Sequence, residues 1–203
     1  MSVGTQTRAQ PTADTGPRPI DLDRVAALYR QLLIELGEDP TRDGLVGTPD
    51  RVAAWWREFL DYEPGTTDTT FDYESTSGDL LVVRGISAFS LCEHHLMPMR
   101  LSLSIGYLPA DQVLGLSKFA RIAQAHAHRL QLQERLVLGV ARDVITATGS
   151  GDVAVMADGE HLCMSMRGVR EPHAITTNLK ANGRLYDEPH LTEQFLTISR
   201  SPR

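Results

Sequence analysis

Between Leu91 and Met99 the sequence reads LCEHHLMPM, which sets a thiol, a carboxylate and two adjacent imidazoles ahead of an apolar run. Cys92 and His95 are three apart, so both side chains can reach one ion from a single tight turn. A Cys-x-x-His pair is a weak signal by itself, since core packing and chance produce many. It gains weight from EHLCM, where His161 and Cys163 stand two apart in a predicted strand and so point to one face. Two thiols with one or two imidazoles form a ligand set that suits zinc. Binding by Cys92, His95 and Cys163 leaves a fourth position for water, the arrangement of a catalytic site and not of a closed structural one. An ion so held lowers the pKa of water to about 7, and His94 and His161 then remain as proton donors and acceptors beside it. The competing reading, two ordinary buried thiols and hydrogen-bonded histidines at strand ends, stays open on these residues alone.

A second group is cationic. In LSKFARI, Ser117 is placed to cap a helix whose first turn carries Lys118 and, three residues on, Arg121. Both cations share a face near a helix N-terminus, where free N–H groups and the dipole favour an anion. A capped helix with solvated basic residues is the alternative. Arg167 follows Cys163 by four and is predicted on the strand face of His161 and Cys163. In LQLQERL, Gln133 and Glu134 open a predicted helix; the carboxylate suits the helix dipole, and it could also accept two N–H bonds from a guanidine-like edge. GSGDVA imitates a dinucleotide-binding glycine pattern but precedes a strand, so that site is rejected. His126 and His128 stand two apart on a predicted helix and are read as surface.

The elements that position these groups follow from periodicity. Residues 1–19 lack apolar spacing and are predicted to form a disordered arm, followed by one domain over 20–203 with N-terminal helices in 20–62 and a core over 79–200. DLDRVAALYRQLLIELGED and TPDRVAAWWREFL read as helices, the second with Thr48 as N-cap. A polar connection from Asp61 to about residue 79 is long enough to suggest function or contacts. LLVVRGI and MRLSLSIGYL read as strands bracketing CEHH, with Leu101, Leu103, Ile105 and Tyr107 on one face. Two helices follow, then DVAVMAD and HLCMSMRGV as a predicted hairpin, a further strand at AITTNLK and a terminal helix around LTEQFLTIS. This order predicts an α+β fold with antiparallel pairing.

The 203 residues, 41% of them apolar, suffice for a packed core. A net charge of -6 argues against sequence-independent nucleic-acid binding, so an anionic ligand needs a local cation cluster. No membrane span or secretory signal is evident, and two cysteines are too few for a disulfide framework; the expected compartment is the cytoplasm.

Five motifs, SLCEHHLMP, GYLP, GLSKFARI, RLQLQERL and HLCMSMRG, with GEDPTRDGLVGTPDRVA upstream, resemble GTP cyclohydrolase I over about residues 22–170. The resemblance implies a tunnelling fold, an antiparallel sheet with helices packed on one face, assembled as a toroidal homodecamer with active sites at subunit interfaces. It implies a zinc-dependent hydrolase converting GTP and water to 7,8-dihydroneopterin triphosphate and formate, the first step toward folate and other pterins. Carried over by position, Cys92, His95 and Cys163 match the zinc ligands, and His94 and His161 the catalytic imidazoles. Gln133 and Glu134 match the guanine-edge group, and Ser117, Lys118, Arg121 and Arg167 the residues around triphosphate and ribose. Glu93 is left a structural hydrogen bond. The sequence departs from the family at Leu101-Ser102, where Gly-Lys is usual, at Ala54, where Lys is common, and after Arg170. Those departures keep in view a paralogue with the same chemistry in a deazapurine pathway. Two rivals stand apart from them: a catalytically silent purine- or pterin-binding module, which the two unligated histidines argue against, and a relative acting on a deazaguanine nitrile with a Cys nucleophile and NADPH, which does not explain a three-ligand metal set.

Overall fold

The computed structural model describes residues 19–74 and 79–201. The arm expected over residues 1–19 falls outside the described residues except for Pro19, as do residues 75–78 of the polar connection. The chain divides into two compact units, Met1–Glu58 and Phe59–Arg203.

The first unit holds α1 (Leu22–Glu35) and most of α2 (Thr48–Leu60). Asp21 caps α1 by accepting the Arg24 N–H at 3.0 Å. Trp56 donates from its indole to the Tyr29 hydroxyl at 2.7 Å. Thr48 is already inside α2, and its hydroxyl accepts from the Arg51 guanidinium at 2.9 Å in place of the expected capping role.

In the second unit, β2 (Leu81–Cys92), β3 (Pro98–Tyr107), β5 (Leu130–Gln131), β6 (Val153–His161) and β7 (Thr176–Ala181) form one sheet in the order β5-β2-β3-β6-β7. All neighbours are antiparallel except β2 and β5. A bulge between Val83 and Ile86 shifts the β2/β3 register, with Gly85 at φ 70° taking up the extra residue. β1 (Thr70–Asp72) pairs with β4 (Gln112–Leu114) as a separate ribbon, so part of the polar connection is ordered against the approach to α3 (Leu116–Ala127).

The period-two pattern of β3 holds. Met99, Leu101, Leu103, Ile105 and Tyr107 are buried in one cluster with Phe119, Ile122 and Ala123 of α3 and Leu136, Val140 and Val144 of α4 (Gln133–Thr148). A smaller cluster joins Ala154 and Met156 of β6 to Leu185 of the single turn α6 (Arg184–Asp187) and to Leu191 and Phe195 of α7 (Pro189–Arg200). The main helical layer therefore covers one face, as expected, and α7 adds cover to one end of the other. That second cover explains why VAVMA shows no alternation, since β6 is buried on both faces there.

Candidate active site

β2 runs without a break into Cys92, and the CEHH turn is made by the backbone. The Cys92 N–H donates to the Met97 carbonyl at 2.9 Å, the Leu96 N–H donates back to the Cys92 carbonyl at 2.8 Å, and Leu96 takes a left-handed φ of 56°. A bulky residue held at positive φ is strained. His94 and His95 are both exposed at its crest, their rings 6.3 Å apart and edge-on. Glu93 is turned away from them, accepting two hydrogen bonds from the Arg135 guanidinium at 2.7 and 3.1 Å. Both partners are open to solvent, which screens the pair and leaves it a small contribution to stability. Glu93→Gln is expected to lower the melting temperature by no more than a few degrees and to leave metal content and turnover unchanged, as calorimetry and metal analysis will read.

The other half of the cluster differs from the sequence expectation. β6 ends at His161 and the chain enters a helical turn, α5 (Leu162–Ser165), so HLCMSMRGV is not the second arm of a hairpin. The shared strand face is consequently not what gathers these side chains. The turn swings Cys163 toward Cys92 and His95, and the ligand atoms of all three lie within 4.8 Å of one another. Arg167, past the turn, donates from Nη1 to Nε2 of His95 at 2.8 Å. Burial pushes the Cys163 thiol up from its ordinary pKa, the neighbouring Cys92 thiol pushes it further, and the Arg167 charge opposes both. Two soft sulfur donors and an imidazole at this spacing could hold a metal ion.

His161 stands at the end of β6, opposite Met99 in the β3 register. Its Nε2 lies 2.7 Å from Oε1 of Gln133. Burial lowers its pKa, with Glu134 pulling weakly the other way. Gln133 is 1% exposed, and its amide nitrogen donates to the carbonyls of Ala157 at 2.9 Å and Thr176 at 2.8 Å. Every polar atom of that carboxamide is thus used inside the chain, which leaves Glu134, exposed in the first turn of α4, as the member of the pair open to a ligand.

Ser117, Lys118 and Arg121 do sit together, but at the opposite end of α3 from the Cys92 cluster. The C-terminal end of α3 leads into β5, which pairs with Leu91 and Cys92. Lys118 lies nine residues earlier than Ala127, about 14 Å along the helix at 1.5 Å per residue. The helix begins at Leu116 after Gly115, and Ser117 is within the first turn without capping it. Lys118 is buried and donates to the Thr66 hydroxyl at 2.8 Å; Arg121 donates to the Thr66 carbonyl at 3.4 Å. The ordered part of the polar connection therefore braces the cation pair, and Thr66 was not legible as part of it. His126 and His128 are not simple surface residues. His126 pairs with Asp143 at 2.8 Å, and His128 stacks between Phe59 and Tyr62 while bonding the Phe59 carbonyl at 3.0 Å.

Among known proteins, the family described as GTP cyclohydrolase I matches residues 25–200. The chain belongs to the GTP cyclohydrolase I family. GTP cyclohydrolase 1 of Hyperthermus butylicus is 46% identical over 180 residues, covering 89% of this chain and 92% of that protein. GTP cyclohydrolase 1 of Rattus norvegicus is 40% identical over 185 residues, covering 90% and 77%; that of Homo sapiens is 39% identical over 185 residues, covering 90% and 74%. The α+β architecture is the tunnelling fold that GTP cyclohydrolase I membership entails, and the resemblance now extends well past Arg170, through β7 and α7. Of the departures, Leu101 faces the helical layer opposite Gly159, Ser102 lies opposite Asp158, and Ala54 is exposed on α2.

Proposed function

We propose that this chain is a zinc-dependent GTP cyclohydrolase I, hydrolysing GTP to 7,8-dihydroneopterin triphosphate and formate as the first step of pterin synthesis. The observation that carries the reading is the convergence of Cys92, His95 and Cys163 within 4.8 Å beside a His161 anchored by Gln133. Zinc held by that donor set supplies Lewis acidity and lowers the pKa of water to about 7. The reaction adds water at C8 of the purine, opens the five-membered ring and releases C8 as formate. The ribose carbons then rearrange and close the pterin ring. His94 and His161 move the protons these steps require. The Glu134 carboxylate accepts from the N–H edge of guanine. Lys118, Arg121 and Arg167 neutralise the triphosphate with Ser117 beside them, which is how a chain of net charge -6 takes a polyanion.

The separation of Lys118 and Arg121 from the Cys92 cluster along α3 supports an active site composed from more than one copy of the chain, as in the homodecamer we assign to it. No helix among the described residues is long and apolar enough to cross a membrane. Both cysteines are free thiols, which suits the reducing cytoplasm, and that location is part of the proposal.

The test is formate release and appearance of a pterin fluorescent after oxidation, with GTP and zinc-loaded protein. Absence of both overturns the reading, and tight GTP binding without turnover assigns the silent module instead. Arg121→Ala removes one charge-assisted contact of about 1.5–3 kcal/mol. It is expected to raise KM for GTP about 10- to 100-fold with kcat within a few-fold, measured by steady-state kinetics; an unchanged KM removes Arg121 from the phosphate site.

A further inference from the structure

We propose that Gly159 is a positioning residue for His161, acting through Gln133, and that it is size-matched to Leu101 on the neighbouring strand. This rests on the reading of His161 as a proton-transfer group.

The orientation of the Gln133 carboxamide is fixed by its partners. Its nitrogen has two hydrogens and two carbonyl acceptors, Ala157 and Thr176. A flipped amide would aim its oxygen at both carbonyls, so the oxygen is the atom turned to His161. An amide oxygen only accepts. The Nε2 of His161, 2.7 Å away, must therefore carry the hydrogen, and the lone pair of the neutral ring sits on Nδ1. Nδ1 has no partner among the described residues.

This arrangement depends on an absent side chain. Gly159 lies within β6, between Leu101 on one side and Thr176 on the other. Its φ is not in the left-handed region, so the glycine is not there for backbone freedom. It is there for room: a Cβ would collide with Oε1 of Gln133 and come within 3.0 Å of Cδ, and it would lie 2.8 Å from Cδ2 of Leu101. A glycine inside a strand commonly marks such a close approach. The carboxamide thus passes through the notch that Gly159 leaves, bounded by the Leu101 side chain. Adding a methyl at 159 drives the carboxamide out and frees the His161 ring. Removing the Leu101 branches gives the displaced carboxamide space to keep its bonds.

The experiment compares zinc-loaded wild type, Gly159→Ala, Leu101→Ala and the double variant by zinc content, kcat and KM. It adds solid-state 15N NMR of histidine-labelled protein, with the His161 signal assigned by its loss in His161→Gln. Wild type is expected to show the Nε2–H tautomer. Gly159→Ala is expected to lose about 10- to 100-fold in kcat, by analogy with the loss of groups that orient metal-bound histidines, with KM and zinc little changed and the tautomer no longer fixed. The double variant is expected to recover most of kcat and the Nε2–H signal. An Nδ1–H signal in wild type overturns the proposal whatever the variants do. So does unchanged kcat in Gly159→Ala, a kcat loss with the tautomer intact, or a double variant no better than the single. Were wild type inactive on GTP, the functional reading would fail while the tautomer signal still decided this one.

Discussion

Cys163→Ser is expected to purify without zinc and to release formate at least about a thousandfold more slowly than wild type, since the Lewis acidity it removes is worth several kcal/mol of barrier. The argument is chemical and not steric. Serine nearly matches cysteine in volume, and Cys163 packs only at the margin of the main cluster, so the fold should survive with a small drop in melting temperature. What is lost is a soft donor that gives up its proton, and a hydroxyl does not do so at neutral pH. The pH dependence of wild type has a defined sign. Ligation requires the thiolate, and burial together with Cys92 raises the Cys163 thiol above its ordinary pKa, so protons compete for this donor over the whole neutral range. Apparent zinc affinity should therefore fall by about tenfold or more for each unit the pH drops, and a chelator should strip the protein faster at about pH 6 than at about pH 8. Metal analysis after dialysis at the two values reads this directly. Full turnover by zinc-free Cys163→Ser would remove the metal from the mechanism.

How much of this was legible in the sequence depends on whether the cause of each feature is local. Leu101, Leu103, Ile105 and Tyr107 could be read as one face because a single helical layer covers it. The same logic failed at HLCMSMRGV, where alternating apolar residues imitate a strand. There the chain turns helically at Leu162, and no local residue announces the change. Cys163 still meets Cys92, so the ligand group was found by residue type while the geometry bringing it together was not. Spacing along α3 could not say which end of the helix lies by Cys92, because that is set by the pairing of β5 with β2. His128 was read as solvated since its cover, Phe59 and Tyr62, comes from a distant segment. Gln133 differs from these, for the sequence did hold its clue. Gly159 interrupts the strand VAVMADGEH, and a strand glycine often signals that something passes close to the backbone.

His94→Ala is expected to cut kcat by about 10²- to 10⁴-fold, the range for loss of a general acid or base, with KM for GTP and zinc content near wild type. The position allows a clean reading. His94 is exposed at the crest of the CEHH turn and contributes nothing to the buried clusters, so truncating it opens no cavity and leaves no buried partner unsatisfied. The turn itself is held by the backbone bonds of Cys92, Leu96 and Met97, none of which uses the His94 side chain. A large kinetic loss without loss of stability or zinc can then come only from chemistry at the imidazole. His95→Ala supplies the contrast: it lies one residue away and is also exposed, yet it should lose zinc and activity together, because it belongs to the group within 4.8 Å and His94 does not. Added imidazole should restore part of the turnover of His94→Ala, since the vacated site faces solvent, and none of that of His95→Ala. If His94→Ala stays within a few-fold of wild type, the proton transfers belong to His161 alone.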